Sequence, residues 1–194
     1  MFIVGLGNPG EEYENSRHSV GRIVLEYVQS KLGFSDWEEE KKKNCLLSFG
    51  KIGKQEVSLI LPETFMNKSG VSVKKFVTSK KKAQDLVVVY DDIDLPLGKV
   101  KITSGRGDGG HKGLASIITT LGTKDFTRIR IGICPTTPSG KLRKPKGEGK
   151  VIDFVIGNFT KKEEEIIEKV KKVALDIIET IATEGVVSAM NKFN

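Results

Sequence analysis

The sequence predicts an α/β fold: a single-domain three-layer sandwich with a twisted, mixed but mostly parallel central sheet flanked by helices. Three observations predict it. FIVGL near the N-terminus and DLVVVYDDID at 85–94 are continuous apolar runs, the pattern of strands buried on both faces. Around them, apolar residues recur at helical spacing, as at Val20, Ile23, Val24, Tyr27, Val28 and Leu32. Both runs also end in glycines or acids, the place where open α/β sheets gather functional residues.

The elements follow in order. FIVGL is a short buried strand, and the helix after it stops at Gly33. Leu46–Phe49 and Val57–Leu61 flank KIGK as a hairpin. A helix starts near Ser69 and buries Val73, Phe76 and Val77; the 85–94 strand comes next, buried with a polar tip. A strand at Lys99–Thr103 leads through the glycine-rich SGRGDGGHKG to a helix across Leu114–Leu121, and RIRIGI alternates as a strand. Prolines, glycines and lysines make about 136–150 a flexible basic loop. In the last helix, Ile166, Ile167, Val170, Val173, Ala174, Ile177, Ile178 and Ile181 form one face.

Composition narrows the function. The 194 residues hold 32 Lys and Arg against 25 Asp and Glu, a net charge of +7, with a pI of about 9.3. Such a balance favours anionic partners, nucleic acid ahead of membrane, although a merely soluble basic surface has the same composition. No apolar run approaches the roughly 20 residues that span a bilayer, and the N-terminus carries no secretory leader, so a cytoplasmic protein is expected. Cys45 and Cys134 form no CxxC pair, and with two histidines a structural zinc site is disfavoured.

Several standard sites are missing. GxxxxGK[ST], GxSxG and HExxH do not occur, and Pro9 disturbs the turn that GLGNPG would need as a dinucleotide loop. What remains is a histidine as base. His18 follows YENSR and precedes an amphipathic helix, where the helix dipole disfavours its cation. A carboxylate is needed to fix its tautomer, and Asp91 is the first acid beyond the buried run. A His–Asp pair with no nucleophile points to activated water, suited to an ester; a structural helix-start histidine is the other reading. Asn8 and Asn67 supply amides that donate and accept, or serve as a turn residue and a helix cap. The second glycine loop before His111 either holds an anion on backbone N–H groups or is a surface turn.

Taken together, the motifs resemble the bacterial peptidyl-tRNA hydrolase family from end to end. They are IVGLGNPG, YxxxRHxxG (Tyr13, Arg17, His18, Gly21), FMNKSG, YDDIDLPLG, GGHKGL, RIRIGI and VIDFVIGNF. The resemblance implies a monomeric cytoplasmic enzyme that cleaves the ester between a peptide and the tRNA 3′ ribose, using no metal or cofactor. It implies that His18 activates water, Asp91 holds His18 in its basic form, and Asn8 discriminates N-blocked substrate. It implies that Tyr13, Phe65 and Asn67 contact the tRNA end and peptide, with His111 and Lys112 as further substrate contacts. Arg130 matches an arginine that grips the tRNA 5′ phosphate in this family. The chain departs from the family pattern at Ser19, at Lys112 and at Thr103, where the partner lysine of the clamp usually stands. Lys101 or Arg106 is the expected replacement. Peptidyl-tRNA, held by its acceptor stem and CCA end, is the implied partner, with no membrane involved.

Overall fold

The computed structural model describes Met1–Asn194. Its sheet has seven strands: β1 (Phe2–Gly5), β2 (Glu38–Glu40), β3 (Cys45–Ile52), β4 (Gln55–Pro62), β5 (Leu86–Pro96), β6 (Val100–Ser104) and β7 (Thr127–Cys134). They lie in the order β2-β3-β4-β1-β5-β7-β6. The centre, β4-β1-β5-β7, is parallel, while β2-β3, β3-β4 and β6-β7 pair antiparallel. The predicted three-layer sandwich with a mixed, mostly parallel sheet is what forms.

Strand alternation assigns each face its helices. Ile3, Val87, Val89, Ile129 and Ile131 point to one side and pack under α1 (Val20–Leu32), α5 (Lys161–Glu184) and α6 (Val186–Phe193). Val4, Val88 and Tyr90 point to the other, under α2 (Ser69–Val73) and α3 (Lys112–Leu121). α1 ends at Gly33, whose left-handed backbone (φ 61°) closes the helix. α5 begins with a capping box between Thr160 and Glu163. Ile177 and Ile178 of α5 are fully buried, each worth about 2 kcal/mol of transfer free energy.

Four expectations need correction. The helix after Ser69 is only five residues long; Val71, Val73 and Val77 are β-branched and weaken its continuation. Val77 is nevertheless buried, whereas Phe76 is half-buried against Phe2 and under Lys43. The 136–150 segment is not loop throughout, because α4 (Glu148–Ile156) takes its last three positions. Gly147 and Gly149 mask that start in the sequence. On α5, Ile166 and Val173 are exposed rather than on the packed face. The short edge strand β2 and the C-terminal α6 were not foreseen.

Candidate active site

Because β4, β1, β5 and β7 are parallel, their C-terminal ends share one edge of the sheet. Asn8 follows β1, Phe65 and Asn67 follow β4, and Asp91 and Asp92 lie toward the end of β5. The catalytic candidate His18 sits in a 3-10 turn, Arg17–Ser19, just before α1. Close backbone packing brings that turn over β5. A Cβ on Gly21 would fall 2.3 Å from the Val89 carbonyl oxygen, and one on Gly5 would fall 2.5 Å from that of Gly21. Only glycine lets α1 lie this tightly on the sheet. The spacing of Gly5, Gly7 and Gly10 is that of a dinucleotide loop, yet the chain makes two 3-10 turns before α1 begins at Val20. The start of α1 packs directly on Gly5 and Gly7, through Ser19, Gly21 and Arg22.

At the floor of the resulting cleft, two imidazoles share one carboxylate. His18 Nδ1 lies 2.9 Å from Asp91 Oδ1 and 3.0 Å from Oδ2, and His111 Nε2 lies 3.0 Å from Oδ1. A carboxylate only accepts, so each of these nitrogens carries the proton. His18 is thereby left with Nε2 as its lone-pair nitrogen, and that atom has no protein partner. His111 is fixed from both sides. Its Nδ1 accepts from the backbone N–H groups of Gly113 (3.1 Å) and Leu114 (3.3 Å), capping α3. The N-terminus of α3 therefore spends two of its free donors on its own cap.

Asp91 is 3% exposed. Burial works against its charge, but the two imidazoles, by charge and by hydrogen bond, hold its carboxyl well below the usual carboxylate range. This contributes stability that is present above the unfolded value of about 3.9 and is lost as pH falls through the lower folded one. Asp92 is engaged elsewhere: Oδ1 accepts from the Asp94 backbone at 2.8 Å and Oδ2 from Arg130 Nε at 2.7 Å. Burial pushes the Tyr90 phenol, edge-on to His111, up to about 12, so it stays neutral.

The cleft has a volume of about 500 Å³ and is bordered by Asn8, Phe65, Asn67 and Lys112 as well as by the His–Asp–His cluster. Asn8 Oδ1 accepts the Met66 backbone N–H at 2.9 Å. That bond fixes the amide, leaving Nδ2 as a donor for a ligand. Phe65 is 61% exposed, and Lys112 reaches Glu148 at 3.4 Å. Two predicted residues lie off the lining. Tyr13 is half-buried, with its carbonyl taken by Ser16. Arg130 touches the cleft only through Asp92. Asp91, His18 and His111 also bring three metal-ligand atoms within 4.8 Å of one another. They would bind an ion only after both N–H protons were displaced.

Comparison with known proteins matches this arrangement to one family. The family model described as peptidyl-tRNA hydrolase matches residues 2–194. The chain belongs to the peptidyl-tRNA hydrolase family. It is 41% identical to the peptidyl-tRNA hydrolase of Fervidobacterium nodosum, covering 100% of this chain and 96% of that one. It is 37% identical to that of Syntrophotalea carbinolica, over the same shares. The crystal structure of peptidyl-tRNA hydrolase from Acinetobacter baumannii superposes with a TM-score of 0.88 at 31% identity, covering 100% of this chain and 93% of that chain.

The β6–β7 register sets which side chains stand beside Arg130. Lys101 of β6 lies directly across from Arg130 in the β6–β7 register, and Thr103 lies across from Arg128. Lys101 makes no ion pair, while Arg128 is buried and donates to the carbonyls of Arg106 and Gly107. Thr103 Oγ1 is buried without a partner. Sequence reasoning missed two features: His111 as a second donor to Asp91, and the apolar side of α4 on the cleft. The spacing of Val151, Ile152, Val155 and Ile156 was the available signal for the latter.

Proposed function

We propose that this cleft hydrolyses the ester joining a peptide to the 3′ end of its tRNA, returning tRNA from chains abandoned before completion. His18 Nε2 takes a proton from water, whose oxygen attacks the ester carbonyl carbon. The tetrahedral intermediate then collapses, breaking the bond to the ribose oxygen, which leaves with the proton from His18. Asp91 keeps Nδ1 protonated and stabilises the imidazolium between the two steps. This sequence of steps uses no metal or cofactor. The pairing of His18 Nδ1 with Asp91, which leaves Nε2 free in the cleft, is the observation that supports it.

Asn8 supplies the discrimination. Its Nδ2 donor suits the extra carbonyl of an N-blocked residue and opposes the ammonium of an unblocked one. Phe65, Asn67 and Tyr13 contact the tRNA end and the peptide, and Lys112 meets the substrate at the α3 end of the cleft. Arg130 with Lys101 receives the 5′ phosphate of the acceptor stem, and the basic surface makes binding salt-sensitive. Recognition favours shape and the single-stranded CCA end over base sequence. The enzyme works as a monomer in the cytoplasm.

The test is incubation with N-acetyl-aminoacyl-tRNA and with its unblocked counterpart. Release of the blocked amino acid alone is expected; RNA binding with no release contradicts the proposal. Asn8→Ala should lower the preference for blocked substrate about tenfold or more, read as the ratio of kcat/KM values. An unchanged ratio would place the discrimination elsewhere.

His111 acts in this scheme by orienting Asp91. His111→Asn keeps an N-cap oxygen but is too short to reach Asp91. It should lower kcat about ten- to a hundredfold, the scale of losing an orienting partner, with stability near wild type. His111→Ala should cost a further ~1 kcal/mol of unfolding free energy from the lost cap. A rise in KM with unchanged kcat would instead make His111 a substrate contact.

A further inference from the structure

We propose that Arg17 is a positioning residue. It fixes an apolar side-chain subsite on α4 relative to His18, so that the enzyme favours an apolar residue at the ester. This deepens the hydrolase reading and rests on it.

Val151, Ile152, Val155 and Ile156 of α4 line the cleft, together with Phe65. Three of these apolar side chains stay open to solvent: Ile152 is 37% exposed, Ile156 40% and Phe65 61%. Such a surface inside a cleft suits an apolar ligand group. A peptidyl ester brings one such group close to the reacting carbon, the side chain of the residue that bears the ester. The distance from that wall to His18 then decides whether binding energy is used at the carbonyl.

Arg17 sets that distance. The element α4 packs against most is the Arg17–Ser19 turn. Arg17 donates its backbone N–H to the Gly157 carbonyl at 3.0 Å. Its Nη1 donates to the carbonyls of Gly157 (3.2 Å) and Phe154 (3.4 Å), at the C-terminus of α4. Nη2 donates at 2.7 Å to Glu163 Oε2, the same oxygen that accepts the Thr160 N–H at 2.8 Å to cap α5. The guanidinium also stacks on Phe154 (4.7 Å) and Phe159 (5.6 Å). One planar cation thus joins the end of α4, the start of α5 and the residue before His18. A lysine offers the charge without the fork. Backbone bonds from Arg17 to Gly157 and from Phe159 to Asn15 survive its replacement, so the variant keeps the local fold.

The experiment compares N-acetyl-leucyl and N-acetyl-glycyl esters on the same tRNA, in wild type, Arg17→Lys and Glu163→Gln, with a thermal melt for each protein. In wild type the leucyl ester should be favoured about tenfold or more in kcat/KM. Both variants should melt as folded proteins and reduce that ratio several-fold, the leucyl ester losing more. Equal losses for both esters, or an unchanged ratio, overturn the role of Arg17. A wild type that treats both esters alike overturns the apolar subsite while leaving the hydrolase reading intact. No release of either ester overturns that reading and this inference with it.

Discussion

His18→Ala should lower kcat by about 10²–10⁴-fold, the range for loss of a positioned general base, while leaving tRNA affinity largely intact. His18 spends its Nδ1 on Asp91 and contributes only Nε2 to the cleft. On the proposed reading, binding rests instead on the basic surface and on the groups around Arg130, Lys101 and Lys112. Single-turnover rates and a filter-binding titration separate the two. Asp91 stays charged on the acid side of neutrality in wild type, because the two imidazoles hold its carboxyl low. A comparable loss of rate and affinity in His18→Ala would make His18 a structural or RNA-binding residue.

Asp91→Asn should be nearly as damaging, with kcat falling on the order of 10³-fold, as when a triad carboxylate is neutralised and the histidine loses its tautomer. The effect arises because Asp91 accepts from both His18 and His111. An amide has one accepting oxygen and an NH₂ group that donates toward a nitrogen already carrying a proton. Asp92→Asn, at the next residue but bound to Arg130 and to the Asp94 backbone, should act mainly on KM. The paired variants therefore read out which carboxylate serves the base. The opposite ranking, with Asp92→Asn the slower in kcat, would assign the wrong acid. Asp91→Asn should also flatten the acid limb of the stability curve, since the depressed carboxyl that loses its charge there is gone.

Much of this architecture was legible from apolar patterning. β1 and β5 are buried on both faces and read as continuous apolar runs, and α1 and α5 carry clear helical spacing. The helix ends were legible where a local signal marked them, as at Gly33. α4 was not, because Gly147 and Gly149 stand at its start and its apolar residues are divided between the core and the cleft. At the site, His18 and Asp91 could be paired by chemical need alone: a base wants a carboxylate, and the first acid after a buried strand offers one. That His111 completes the pair could not be read. The contact depends on how the loop after β6 folds back over β5, which no spacing in the chain records. Lys101 was readable only as one of two candidates with Arg106; its place across from Arg130 follows from the β6–β7 register.

The central claim is that His18 and Asp91 act as one unit on a water molecule. The most direct measurement is a double-mutant cycle on kcat with N-acetyl-aminoacyl-tRNA, using His18→Ala, Asp91→Asn and the double variant. If Asp91 works through His18, the double variant is no slower than His18→Ala alone. If the two losses multiply, the carboxylate acts independently of the imidazole and the account is wrong.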